Sequence, residues 1–356
     1  MRIDFKQLLE NYFSLVKKFV PEQIVRPSVG IDIGHHSIKL VAVKPQGNTH
    51  ELIHYAVEPD VANPVEAIRS LLKNLPEPPI SLTTSVSGKG TLVRYIDMPR
   101  MNADDLKKSF ALEADKYFPF PKDQIYHDCF ILDKGERDNK MPVMVAAAKK
   151  ELVDQRVALF KDLELQPDYI VLDSIAMANA FHVLGETATA EDASSSPQAT
   201  AILDIGQRVS NLTILAGRMP RFCRDIFIGG HEMTCSISNG FGISLEEAEK
   251  IKLKPGNKQA EILKFTDSII MNLVSELRLS FDYFITEKNI PISRLWLTGG
   301  GSHLAGLPDV FGKALEVEVG QWDMLGQMRV APEIAEDEIK KVAGTLGVAT
   351  GMALYR

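Results

Sequence analysis

The sequence predicts an α/β protein of two lobes, with a βαββα subdomain inserted into the first. Three observations carry this. The tripeptide Asp-Ile-Gly occurs twice, in VGIDIGHHSIKLVAV (29–43) and AILDIGQRVSNLTIL (201–215), each time between an apolar strand and a second strand. Between the copies, over 91–163, strand and helix patterns follow one another in the order βαββα. After the second copy, the buried-strand pattern Leu295-Trp296-Leu297 runs into Thr298-Gly299-Gly300-Gly301-Ser302.

Residues 1–27 read as an amphipathic helix and linker. Phe5, Leu8, Leu9, Tyr12, Leu15, Val16 and Phe19 share one helical face, Lys6, Glu10, Ser14, Lys17 and Lys18 lie opposite, and Pro21 closes the pattern. That face suits a membrane surface, a partner helix or the protein's own body. The first lobe opens over 28–90 with the hairpin, a helix at 65–72, prolines at 76, 78 and 79, and a strand SLTTSVS. The insertion, 91–165, reads as strand 91–97, helix 103–118, strands 126–132 and 141–148, and helix 150–163. The first lobe resumes over 166–185 with a strand at 169–172 and a connecting helix at 173–184.

Residues 186–200, rich in Ala, Thr and Ser, read as a flexible loop between the lobes. The second lobe, 201–331, carries its hairpin, a strand at 221–228, and Gly229-Gly230 opening a helix. A helical region begins at 243–252, breaks at Pro255-Gly256 and resumes to 287. One final helix is expected over 332–354, within a closing segment 332–356 that returns to the first lobe. Its Ala343, Gly344, Gly347, Ala349 and Gly351 allow close backbone approach.

Composition narrows the function classes. A net charge of −7 over 356 residues argues against nucleic-acid binding, which needs a basic footprint. Cys129, Cys223 and Cys235 form no CxxC pair, and His231 with Cys235 lacks a second pair of ligands, so neither structural zinc nor a disulfide framework is expected. No apolar run is long enough to span a membrane and the N-terminus is not a signal peptide, which fits a cytoplasmic setting.

The paired hairpins carry the chemistry. Asp32 and Asp204, each at a strand end, suit Mg²⁺ held through water, because magnesium keeps several waters and takes one or two carboxylates plus phosphate oxygens. Gly34 and Gly206 allow tight turns, whose following N–H groups form an anion nest. Lys39 lies beyond the first tip, and Ser210 and Asn211 beyond the second, as phosphate donors. A single Asp-x-Gly would be an ordinary β-turn; two in matching contexts read as a phosphate clamp. Gly299, Gly300 and Gly301 permit packing against a ring or a ribose, and Glu249 and Lys252, three apart on a helix, suit ribose hydroxyls or form a plain ion pair.

This order of elements resembles the actin-like ATPase superfamily, a two-lobed fold of duplicated ribonuclease-H-like domains. Within it the chain is similar to the PilM family of type IV pilus assembly, and more remotely to FtsA. The similarity rests on Tyr95-Ile96-Asp97-Met98-Pro99, on the stretch from Glu113 to Pro121 (EADKYFPFP), on FCRDIFIGG (222–230), on AEKIK (248–252) and on TGMAL (350–354), and it runs from Val29 to Arg356.

The resemblance implies ATP or ADP with Mg²⁺, bound by Asp32, Gly34, His35, His36, Ser37, Lys39, Asp204, Gly206, Gln207, Ser210, Asn211, Glu249, Lys252, Gly299, Gly300, Gly301 and Ser302. It places Asp173 at a candidate catalytic position. It implies a partner, the short N-terminal cytoplasmic tail of a PilN-like bitopic inner-membrane protein, in a groove near Phe110, Tyr117, Phe118 and Phe120. It also implies a scaffold peripheral to the inner membrane and capable of self-association. His35-His36 and Gln207-Arg208 depart from the family's small or hydroxyl tip residues and favour binding over rapid hydrolysis. An FtsA-like filament protein and an active ATPase or kinase are the alternatives.

Overall fold

The first Asp-Ile-Gly segment folds as a hairpin of β1 (Ser28–Ile33) and β2 (Ser37–Gln46), to which β3 (Thr49–Pro59) adds antiparallel. The computed structural model describes residues 26–47, 49–59, 62–132, 139–185 and 198–355. The amphipathic segment 1–20 and the expected loop at 186–197 lie outside the described residues. β1 is covered on both faces, which accounts for its unbroken apolar run. α1 (Pro64–Lys73) starts where Asn63 accepts the Glu66 N–H at 3.3 Å and Pro64 presets the first turn. Its Ile68 and Leu71 face the sheet, and β4 (Ser81–Val86) then pairs parallel with β1.

The insertion follows as β5 (Thr91–Pro99), α2 (Ala103–Glu113), β6 (Ile125–Ile131), β7 (Lys140–Lys149) and α3 (Lys150–Lys161). Its antiparallel sheet has the order β5-β7-β6, and α2 packs Leu106 and Phe110 against Met98, Val143 and Val145. The helix expected over 103–118 stops at Glu113 and tightens into a 3-10 turn, Ala114–Lys116, ahead of Pro119 and Pro121, which bar further helix. α3 leaves β7 with no linker, and its far end buries Phe160 among Val29, Ile31 and Leu40 of the first lobe. The helix that ends the insertion is therefore also the crossover to β8 (Tyr169–Leu172), which pairs parallel with β4.

α4 (Asp173–Leu184) is apolar almost all round and buries Ala176, Met177, Ala180, Phe181 and Leu184, as a helix enclosed between layers must. The second lobe comprises β9 (Ala199–Ile205), β10 (Ser210–Ala216), β11 (Met219–Ile226), α5 (Gly230–Phe241), α6 (Leu245–Leu253), α7 (Gln259–Lys288), β12 (Ile292–Thr298), α8 (Leu307–Leu315) and β13 (Glu318–Gln321). β9 begins at Ala199, inside the segment expected to be loop. The two sheets repeat one topology: β3-β2-β1-β4-β8 in the first lobe and β11-β10-β9-β12-β13 in the second. In each, a three-strand meander is followed by two strands added parallel on the far side of the first.

The chain then returns to the first lobe, where β14 (Arg329–Val330) pairs parallel with β3. The single helix expected over 332–354 is instead two, α9 (Glu336–Val342) and α10 (Gly347–Ala353), separated by a 3-10 turn, Ala343–Thr345. The break has a physical cause. The Gly344 carbonyl accepts the Gly299 N–H at 2.6 Å and the Thr298 hydroxyl at 2.8 Å, so it is directed at the glycine turn after β12. α10 lies against β1 and α4 at backbone contact. A Cβ at Gly351 would run into the Ala176 carbonyl. Met177, Phe181, Ala349 and Met352 share one core with Val41 and Val43 of the first sheet and Ile202 and Leu215 of the second.

Candidate functional site

The two hairpins face one another across a cleft of about 1000 Å³, near the top of the range for small-ligand sites. Their geometry matches residue for residue. In the first, Asp32 stands opposite Lys39 and the Gly34 N–H closes the turn on Ser37 O at 3.1 Å. In the second, Asp204 stands opposite Asn211 and the Gly206 N–H closes on Val209 O at 3.1 Å. The second tip is pinned by α5, whose Gly230 and His231 N–H groups donate to the carbonyls of Gly206 and Gln207 at 2.9 and 2.8 Å. A Cβ at Gly229 would clash with Gln207 O, so the Gly-Gly pair lets the helix seat directly on the tip.

The cleft floor is acidic. Asp32, Asp204 and Asp173, the last at the first turn of α4, line it together with Lys39. Lys39 Nζ holds Asp32 Oδ2 at 2.8 Å. Burial pushes the Lys39 ammonium down, but Asp32, with Asp204 and Asp173 farther off, carries it above its ordinary value. Burial pushes Asp204 up to about 7, opposed by Lys39 and a hydrogen bond from Asn211, while Asp32 and Asp173 add to the rise. Asp173 is also raised, by burial first and by Asp32 second, against hydrogen bonds from Ser85 and Ser87 and the charge of Arg156.

Another wall of the cleft is built on the glycine turn, which follows β12 and sits directly beside Asp204. Gly299 has φ +84°, which its lack of Cβ permits, and Gly299, Gly300 and Gly301 line the wall beside His303, Val342, Thr345 and Leu253. Glu249 lines the cleft as well. Three of the expected site residues do not face the cleft. Lys252 is buried behind it and donates to Gly230 O, Thr234 Oγ1 and Glu249 Oε2 at 3.2, 2.8 and 2.7 Å, which ties α6 to α5. Ser210 donates to Ile228 O at 2.6 Å, and Ser302 donates to Gly299 O at 2.7 Å. Each braces the wall from behind.

Sequence reasoning missed Arg156, Gln155, Leu152 and Leu159, which line the cleft from α3, and His303 and Lys341, which line it too. Leu152, Gln155, Arg156 and Leu159 have the spacing of one helical face, but periodicity does not tell which neighbour a face meets. Among the described residues, five buried side-chain nitrogen or oxygen atoms lack a hydrogen-bond partner, and three of them line this cleft: Arg156 Nη1, Asn211 Oδ1 and His303 Nε2. Buried polar atoms are normally satisfied, so three orphans around one cavity fit a polar ligand that would complete them.

The four aromatic residues expected at the groove divide into two classes. Phe110 and Phe118 are core, 1% and 5% exposed and in edge contact at 6.0 Å, whereas Tyr117 and Phe120 are only partly buried. The insertion also rests on the second lobe. The Gly88 N–H and Thr91 Oγ1 donate to Asp225 Oδ2 at 3.3 and 3.4 Å, and the Tyr95 hydroxyl meets Cys223 Sγ at 3.1 Å.

Residues 30–356 match the family described as type IV pilus assembly protein PilM. Among solved structures, a PilM-PilN type IV pilus biogenesis complex aligns with a TM-score of 0.79 at 24% identity, over 92% of this chain and 97% of the other. The ethanolamine utilization protein EutJ from Carboxydothermus hydrogenoformans aligns with a TM-score of 0.53 at 15% identity, over 98% and 99%. The repeated strand order and these alignments are those of the two-lobed actin-like fold. With almost its whole length matched, the chain belongs to the PilM family of type IV pilus assembly proteins.

Proposed function

We propose that the protein is a nucleotide-binding scaffold of a type IV pilus assembly machine, working at the cytoplasmic face of the inner membrane. It recruits the short cytoplasmic tail of a PilN-like bitopic membrane protein. The observation that carries the nucleotide reading is the cleft itself: two congruent Asp-x-Gly tips, an acidic floor with Lys39 and Arg156, and three orphaned polar atoms spread along its length. Family membership and the PilM-PilN complex among the aligned structures support the partner.

ATP or ADP fits with its phosphates between the tips and its nucleoside at Gly299, Gly300, Gly301 and His303. Bound Mg²⁺ would neutralise phosphate charge through its waters. Asp32 and Asp204 would hold those waters, and the orphaned Asn211 Oδ1 beside Asp204 would accept from one. The remaining positions around the ion would fall to phosphate oxygens. Asp173, at the first turn of α4 on the cleft floor, is the candidate for positioning a water, and slow turnover is expected from the bulky tips His35-His36 and Gln207-Arg208. For the tail, Tyr117 and Phe120 are the two of the four expected groove residues that are partly open to a peptide, since Phe110 and Phe118 hold the insertion together.

Calorimetry on the purified chain tests the reading. Mg-ATP and Mg-ADP should both bind, Asp32→Ala should abolish binding while leaving the circular dichroism spectrum intact, and steady-state phosphate release should be very slow. Wild-type protein that binds neither nucleotide would refute the reading.

A further inference from the structure

α3 runs from the insertion's sheet to the core of the first lobe. Its first residue, Lys150, follows the last residue of β7 directly, so the helix is a continuation of the insertion's central strand. That end is bound to the insertion: the Tyr126 hydroxyl donates to Asp154 at 3.1 Å, and the Lys149 ammonium sits 5.3 Å from the Phe120 ring centre. The other end is locked into the first lobe by Phe160, which is fully buried. Between the anchors, one face of the helix lines the nucleotide cleft with Leu152, Gln155, Arg156 and Leu159.

Arg156 stands out on that face. Its Nη1 is buried without an acceptor, although Asp173 and Asp32 are close enough for their charge to act on it. A guanidinium has five donors in a planar fork, and an unmet buried donor is costly. Phosphate oxygens satisfy that fork two at a time. The carboxylates that act on Arg156, Asp173 and Asp32, belong to the floor of the first hairpin, where the phosphates are placed in the reading above.

We propose that Arg156 binds the terminal phosphate of a nucleoside triphosphate and thereby transmits the identity of the bound nucleotide to the inserted subdomain. The inference rests on the nucleotide reading above and adds to it a sensor and a route. A triphosphate draws Arg156 toward the cleft, and because α3 is continuous with β7, the strand and the face beside Phe120 shift or stiffen with it. A diphosphate lacks the group that Arg156 reaches and leaves the insertion as it was.

The test compares wild type, Arg156→Ala and Arg156→Lys as full-length protein. Calorimetry should show Mg-ATP binding weakened roughly 10- to 100-fold in Arg156→Ala, the range for lost charge-assisted hydrogen bonds, with Mg-ADP binding unchanged. Arg156→Lys should recover part of the loss, since a point charge replaces the fork. Hydrogen exchange in β7 should slow with Mg-ATP but not Mg-ADP in wild type, and saturating Mg-ATP should produce no such slowing in Arg156→Ala. Equal effects on ATP and ADP, or no effect on either, would overturn the role of Arg156 while leaving nucleotide binding by wild type intact. Wild-type protein that binds neither nucleotide would overturn both readings. If Arg156→Ala fails to fold, Arg156→Lys decides: ATP affinity and exchange identical to wild type would refute the fork.

Discussion

Asp32 and Lys39 face each other across the first hairpin and close an ion pair of 2.8 Å, with side chains only 11% and 15% exposed. The pair sits in front of two further buried carboxylates, Asp204 and Asp173, so Lys39 serves three anions at once. Its strand position makes this possible. β2 runs back beside β1, and the residue opposite the aspartate must point into the same cleft.

Replacing Lys39 with Met should therefore cost more than one ion pair. Breaking a buried pair by removing one partner typically destabilises by about 3 kcal/mol, because the remaining charge is left uncompensated. Lys39 is also the largest influence holding Asp204 down, so the Asp204 carboxyl should rise further above about 7. Urea unfolding checks the first effect, and carboxyl titration by NMR checks the second. A midpoint equal to wild type would show that the pair contributes little.

Asp204 predicts a pH dependence with a definite sign. Its folded value, about 7, lies above the ordinary 3.8, so between those values the folded protein binds more protons than the unfolded chain. This group's contribution to stability therefore falls as pH rises from about 4 to about 7. Mg-nucleotide binding needs the ionised form and should tighten as pH rises through 7, with proton release on binding. Asp204→Asn should flatten the stability slope and abolish the proton release. Calorimetry in buffers of different ionisation enthalpy reads the protons directly, and equal heats in all buffers would count against the prediction.

Gly351→Ala tests the seam beneath the cleft. The added methyl would fall on the Ala176 carbonyl, a backbone atom that cannot turn aside, so α10 must move away from α4. Overpacking of this kind costs about 1–3 kcal/mol or more. Thermal denaturation should show the loss. A melting temperature equal to wild type would mean that the two helices separate freely.

How far the sequence could be read follows physical lines. The two hairpins were legible because strand, turn and strand leave a local pattern, and a repeated local pattern is strong evidence. The glycine turn at 299–301 was legible for the same reason. Arg156 was not, because its role depends on α3 being both the end of the insertion and the first-lobe crossover, a matter of topology. Lys252 was legible as a partner of Glu249, but its burial behind α5 depends on how two helices pack. The expected helix over 332–354 hid a break that a distant loop imposes, through Gly299 and Thr298 bonding to Gly344.

The hairpins are congruent, yet the residue opposite the aspartate is charged in one, Lys39, and neutral in the other, Asn211. The duplicated halves thus present unlike poles. Lys39 and Arg156 both stand on first-lobe elements, β2 and α3, among the carboxylates of the floor, whereas the second hairpin sets an amide beside its aspartate. A ligand held between the tips therefore meets an ammonium from one half and an amide from the other, so the repeat of the backbone is not a repeat of its chemistry.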